Sequence, residues 1–264
     1  MVTVKEILGY LNELAPMERK MDFDNVGLLV GWPDNAVTKV VTALDITNQV
    51  IDEAVTAGAE LIVSHHPLIF TPQKHVRADD LCGMKILSLA KNGISAICMH
   101  TNLDVSRGGV NDILAQKLGI LQTSSLIADG FDATGEDYGL GRVGELPGES
   151  TLQSFLTEVK TALKANGLRY SDAGKQVHRV AVCGGSGGSE LMTALNAGCD
   201  TYVTADVKYN AFLDAAELGI NLIDAGHFPT ENAVIVPLTE KLTIKFPEVK
   251  FKISCLHSQP EKFF

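Results

Sequence analysis

The chain reads as an α/β protein of two similar α/β lobes, each built on a mainly parallel sheet. Apolar strand-like runs alternate with helical patterns along almost the whole sequence, and single glycines punctuate several helix-to-strand passages. A helix–Gly–strand succession suits a right-handed crossover onto a parallel neighbour. Midway the texture changes, turn-forming residues cluster, and the alternation then resumes.

Taken in order, Val4 to Leu14 has helical spacing and stops before Pro16, and Val26 to Val30 and Lys39 to Leu44 have strand character. Gln49 to Ala57 is a helix closed by Gly58 at a typical C′ position, followed by the short strand Leu61 to Val63. Leu81 to Lys91 is a helix closed by Gly93, Ile94 to Met99 a strand, and Val110 to Leu118 a helix closed by Gly119.

Leu121 to Glu149 is turn-rich, with Asp129-Gly130, Gly135-Glu136-Asp137 and Pro147-Gly148, and a domain junction is expected there. The predicted first lobe is 1–125, with a return strand from the C-terminus as an option; the second is 126–264. Beyond the junction the expected elements are helix Leu152 to Ala165, strand His178 to Cys183, helix Ser189 to Ala197 and strand Thr201 to Thr204. Helix Asn210 to Leu218, strand Asn221 to Ile223, helix Asn232 to Leu242 and strand Val249 to Ile253 complete the second half.

Composition excludes several function classes. At 45% hydrophobic and 20% charged residues, the chain can bury a large core and is not of disordered type. A net charge of −10, with no five-residue block of Lys and Arg, argues against nucleic-acid binding. The five cysteines contain no C-x-x-C pair, so a thiolate zinc site is not expected. The N-terminus lacks a signal peptide's apolar region and no run reaches ~18 apolar residues, so a reduced, cytoplasmic protein without membrane spans is expected.

Three strand ends carry the chemistry. Leu61 to Val63 runs through Ser64 into His65, His66 and Pro67; Ile94 to Met99 runs into His100 and, four residues on, Asp104; Asn221 to Ile223 leads to His227 and Glu231. In an open parallel sheet, the crevice outside the carboxyl ends of the strands is where ligands bind. His227 and Glu231 are spaced i, i+4 with Pro229 as a plausible first helical residue, so at a helix start they share a face. Taken singly, Glu231 suits a helix N-terminus and Asp104 suits a cap for the helix after Gly108-Gly109. Jointly, three imidazoles and two carboxylates exceed what one tetrahedral zinc needs and suit two ions ~3.5–4 Å apart. Such ligands fit Zn, Fe, Mn, Ni or Co, and because they come from both halves the expected site is the cleft between the lobes.

The ordered set Ser64-His65-His66-Pro67, His100-Thr101-Asn102-Leu103-Asp104 and Gly226-His227 with Glu231 resembles the signature of the Nif-three-like dinuclear-metal family, the GTP cyclohydrolase 1 type 2 homologues. Asp24-Asn25-Val26-Gly27-Leu28 and Cys183-Gly184-Gly185-Ser186-Gly187 resemble further family segments, and the likeness spans essentially the whole chain in the family's short form. It implies that His65, His66, Asp104, His227 and Glu231 bind two divalent ions. It implies a ring-shaped homohexamer with sites facing an internal cavity, and hydrolysis of a small molecule such as a nucleotide.

His100 and Asp206 are the candidates for proton transfer or for hydrogen bonding to a ligand, with Lys208 and Tyr209 after the same strand as Asp206. For Asp45, helix capping is the expected role. His75, His178 and His257 are expected to be structural or surface residues. Two other functions compete: a non-catalytic metal-binding or regulatory ring, and a nucleotide-binding module on the Gly184–Gly188 turn. That turn lacks the G-x-G-x-x-G spacing and a Walker lysine, so close helix–strand packing is its expected use.

Overall fold

A computed structural model describes all of Met1–Phe264. In chain order the first elements are α1 (Val4–Leu14), β1 (Gly27–Val30), β2 (Lys39–Ala43), α2 (Asn48–Ala57), β3 (Leu61–Ser64), α3 (Leu81–Lys91), β4 (Ser95–Cys98), α4 (Thr101–Val105) and α5 (Val110–Lys117). There follow β5 (Leu121–Phe131), β6 (Asp137–Ser150), α6 (Leu152–Ala162), β7 (Arg169–Ser171), β8 (Val177–Val182) and α7 (Leu191–Asn196). The chain closes with β9 (Thr201–Thr204), α8 (Tyr209–Leu218), β10 (Asn221–Asp224), α9 (His227–Asn232), α10 (Ile235–Lys245) and β11 (Lys250–Ile253). No helix is long and apolar enough to cross a membrane.

Two compact units result: Met1–Leu103 with Ile235–Ser258, and Asp104–Val234 with Gln259–Phe264. The passage falls at Leu103/Asp104, where 125/126 was expected. The C-terminal return brings back both α10 and β11.

The first unit holds the sheet β1-β4-β3-β2-β11, in which only β1 runs antiparallel to its neighbour. Val41, Ala43, Ile62 and Ala96 pack on one face against Val50, Ile51 and Ala54 of α2 and Leu89 of α3. Thr42 points the other way and pairs with Thr239 of α10 at 2.7 Å. Helices thus cover both faces, which is why these strands read as unbroken apolar runs. Thr3 caps α1 in a reciprocal box with Glu6, and Gly58 ends α2 at φ +64, a left-handed conformation that costs glycine little.

The second unit holds the sheet β5-β6-β8-β9-β10-β7, with β8, β9 and β10 parallel at its centre and antiparallel strands outside. Val180, Val182, Val203 and Ile223 face Phe155 and Val159 of α6 and Leu114 of α5. The alternate residues Ala181, Tyr202 and Leu222 face Leu191 and Ala194 of α7 and Ala215 of α8. The turn-rich stretch after residue 120 is a long hairpin, β5–β6. Its glycines permit close cross-strand approach: a Cβ on Gly139 would lie 2.0 Å from Ile127 O, and one on Gly144 2.4 Å from Leu121 O. Arg142, wholly buried, donates to Gly139 O (2.8 Å), Gly141 O (2.7 Å) and Asp112, and Asp112 also takes the Gly108 N–H.

Candidate metal centre

In the first unit, β2, β3 and β4 are parallel and in register, so their carboxyl ends lie side by side. The ladder continues one step beyond the strands: His66 N–H donates to Leu44 O (2.9 Å) and Met99 N–H to Ser64 O (2.9 Å). The ladder therefore holds the backbone of His65 and His66 and the residue before His100, and one ring nitrogen from each of the three histidines lies within 4.8 Å of the others. Because β1 is antiparallel to β4, its N-terminal end meets β4's carboxyl end, with Gly27 opposite Cys98. That topology delivers Asp24 to His100.

Each imidazole is oriented through Nδ1. His65 Nδ1 lies 2.8 Å from Met99 O, His66 Nδ1 2.7 Å from Asp45 Oδ1, and His100 Nδ1 2.8 Å from Asp24 Oδ1. Burial alone would raise the Asp24 pKa, but hydrogen bonds from His100 and Thr101, with the imidazole charge, hold the carboxyl well below the usual range. Asp45 is not a helix cap: Thr47 caps α2, accepting from Val50 N–H, and Asp45 braces His66 instead.

In the second unit the carboxyl ends of β8, β9 and β10 are again adjacent. His227 opens α9, with Pro229 third in the helix rather than first, and its Nε2 lies 3.1 Å from Glu231 Oε2 one turn on. His227 Nδ1 lies 2.7 Å from Asp206 Oδ2. Burial disfavours charge on His227, yet the carboxylates of Glu231 and Asp206 outweigh it and raise the imidazole to about 9. Asp206 sits at φ +53, a left-handed conformation uncommon outside glycine and one that Asp tolerates better than most residues. Asp104 on α4 brings a carboxylate oxygen within 4.8 Å of one from Glu231. It does not cap the following helix; Gly109 occupies that place without a side-chain bond.

The glycine turn serves this cluster. Gly184 N–H donates to Asn111 Oδ1 (2.9 Å) and Gly185 N–H to Thr230 Oγ1 (3.0 Å), so neither is directed at a phosphate. Asn111 Nδ2 in turn donates to Asp104 O (3.0 Å), tying α4 to the turn. Gly185, at φ +64, leaves room for the donors: a Cβ there would stand 2.1 Å from Glu231 Oε1 and 3.3 Å from His227 Nε2. Close packing, the use expected of this turn, has the Glu231 carboxylate as its object.

The donor set fits a divalent ion. It is imidazole and carboxylate only, and His65, His66, His100 and His227 all have Nδ1 at a carbonyl or carboxylate oxygen. Metal-ligating histidines are held in this way, which sets the tautomer and turns Nε2 to the metal. Within each unit the structure brings candidate donors together: His65 and His66 in one, joined by His100, which was expected to transfer a proton or brace a ligand, and Asp104, His227 and Glu231 in the other. Of the remaining residues, Lys208 and Tyr209 point to solvent, with Tyr209 78% exposed, and His75 is on the surface. His257 Nδ1 lies 2.7 Å from Ser254 O. Asp24, Asp45, Asn111 and Thr230 are site residues that sequence reasoning missed. Asp24 had a signal in its place in a recognised segment, and Asp45 had one in its place at a strand end, where capping was the expected role.

The family model described as Duf34/NIF3 (NGG1p interacting factor 3) matches residues 2–262. A Clostridium perfringens protein named GTP cyclohydrolase 1 type 2 homolog is 37% identical, over 98% of this chain and 99% of its own. A Clostridium acetobutylicum protein of the same name is 39% identical, over 90% of this chain and 89% of its own. Among solved structures, a Bacillus cereus protein related to NIF3 superposes with a TM-score of 0.90 at 28% identity, covering 100% of both chains. Staphylococcus aureus protein SA1388 gives a TM-score of 0.92 at 29% identity, over 100% of this chain and 99% of its own. Fold, sequence and the ordered donor segments agree: the chain belongs to the DUF34/NIF3 family.

Proposed function

We propose that this protein is a dinuclear-metal-dependent hydrolase acting on a nucleotide or a related small molecule, with GTP ring hydrolysis, after the name its relatives carry, as the named candidate. In this reading His65, His66, Asp104, His227 and Glu231 bind two divalent ions of Zn, Fe, Mn, Ni or Co. Bound there, the ions would lower the pKa of a water and polarise the bond under attack. The observation that carries the reading is the convergence of imidazole and carboxylate ligand atoms within 4.8 Å of one another, with four of the imidazoles anchored through Nδ1 as metal-ligating histidines are. Asp24 holds His100 in one tautomer, so His100 can keep or pass a proton through Nε2. Asp206 aligns His227 and is a positioning residue. A homohexameric assembly and a cytoplasmic location belong to the same proposal.

The test is elemental analysis of the purified protein beside the double variant His65→Ala/His66→Ala. About two ions per chain, most of them lost in the variant, are expected. Equal metal content in the two proteins, or metal in neither, refutes the site.

A further inference from the structure

Beside the histidine cluster, the first unit exposes two aromatic side chains in contact. Phe23 is 63% exposed and Phe70 50%, with ring centroids 6.1 Å apart at an interplanar angle of 67°. Phe70 is also 6.1 Å from His100, edge to face at 84°, and His100 is 5.2 Å from His65 and 5.6 Å from His66. Five rings therefore run without a break from solvent to the metal donors.

The two phenyl groups sit on different loops that are braced together. Asn25 Nδ2 donates to Ile69 O (2.6 Å), and Asp24 is fixed by His100 and by Thr101 N–H (3.0 Å), so the neighbours of both phenylalanines are held. A single exposed apolar side chain is ordinary. Two in contact, on loops pinned to each other and leading to a buried polar cluster, leave apolar ring surface in water at a place held rigid for some other purpose. Ring surfaces of this kind bind planar ligands by stacking.

We propose that Phe23 and Phe70 form a binding site for the planar heterocyclic ring of the substrate. This rests on the metal-site reading above and narrows its substrate class: the molecule carries a flat aromatic heterocycle beside the polar group that the ions engage. Sugar phosphates and acyclic amides lack the part this surface recognises.

The experiment uses the full-length, metal-loaded protein with two probes, guanosine monophosphate and ribose 5-phosphate, which share sugar and phosphate and differ by the ring. Calorimetry is expected to show the nucleotide binding roughly tenfold or more tighter, the usual range for a base on an aromatic side chain. Phe23→Leu/Phe70→Leu keeps apolar volume and should bring the nucleotide to the affinity of ribose 5-phosphate, with metal content unchanged. Phe23→Tyr/Phe70→Tyr keeps the rings and should retain the preference; it decides the matter if the leucine variant fails to fold. Wild-type protein that binds both probes equally or binds neither overturns the proposal, as does a preference that survives the leucine substitutions or is lost in the tyrosine variant. Wild-type protein without metal defeats the metal-site reading instead, whereas metal-replete protein without ring preference defeats only this inference.

Discussion

Gly185→Ala isolates the contribution of one missing side chain to the donor cluster. Gly185 has φ +64, and a non-glycine residue in that region costs about 1–2 kcal/mol. Its Cβ would also stand 2.1 Å from Glu231 Oε1 and 3.0 Å from Glu231 Cδ. Relief to ordinary contact requires the carboxylate to move by about 1 Å, several times the ~0.2 Å tolerance of a metal–ligand distance. A metal affinity loss of at least 10–100-fold should follow, the scale seen when even an outer partner of a ligand is removed. Gly58→Ala is the matched control. It has the same φ of +64, with only Lys39 Nζ nearby at 3.5 Å, so it carries the conformational cost without touching a donor. Urea unfolding of the metal-free proteins should show Gly58→Ala losing about 1–2 kcal/mol and Gly185→Ala a similar or greater amount. Competition with a chelator should show weakened metal binding in Gly185→Ala alone. Gly185→Ala with wild-type metal affinity, or equal loss in both variants, would refute the reasoning.

Stability should depend on pH through Glu53. Burial raises its pKa, but Lys252 Nζ at 2.8 Å, Ser254 Oγ and Cys255 N–H at 3.2 Å outweigh burial and hold the carboxyl at about 2. A depressed carboxyl stabilises the fold above its unfolded pKa of about 4.5 and loses that contribution as pH falls toward 2. Glu53→Gln should therefore flatten the stability profile between pH 5 and pH 2 by roughly 1–3 kcal/mol in urea titrations, and an unchanged slope would contradict the assignment. Arg142→Met should destabilise by about 2–3 kcal/mol, because it leaves the carbonyls of Gly139 and Gly141 without their buried donor and removes one cationic partner of the part-exposed Asp112. A loss below about 1 kcal/mol in denaturant unfolding would show that Arg107, 3.5 Å from Asp112, compensates.

Local pattern made most of the fold legible. Val4–Leu14 and Leu81–Lys91 were readable to the residue, since amphipathic spacing and a stop signal coincide there. The candidate donors could be singled out because His65 and His66 follow directly on an apolar strand and Asp104, His227 and Glu231 lie on the short helix that follows one. The β5–β6 hairpin was not legible: its glycines and Pro147 look like loop punctuation, whereas Gly139 and Gly144 are there because a neighbouring backbone passes too close for a Cβ. A C-terminal return strand in the first lobe was legible only as an option, and that β11 takes the place beside β2 could not be read, because strand partnership is a tertiary choice among equally apolar runs.

By itself the sequence determined the element types, the strand ends and the residues that end them, all of which follow from spacing along one chain. Only tertiary structure decided what each imidazole's second nitrogen does. Asp24 reaches His100 across 76 positions because β1 is antiparallel, and Asp45 reaches His66 across 21 because β2 and β3 are parallel neighbours. Strand order and direction are settled by burying both faces of a sheet together. A hydrogen-bond partner that depends on them leaves no mark in the local sequence.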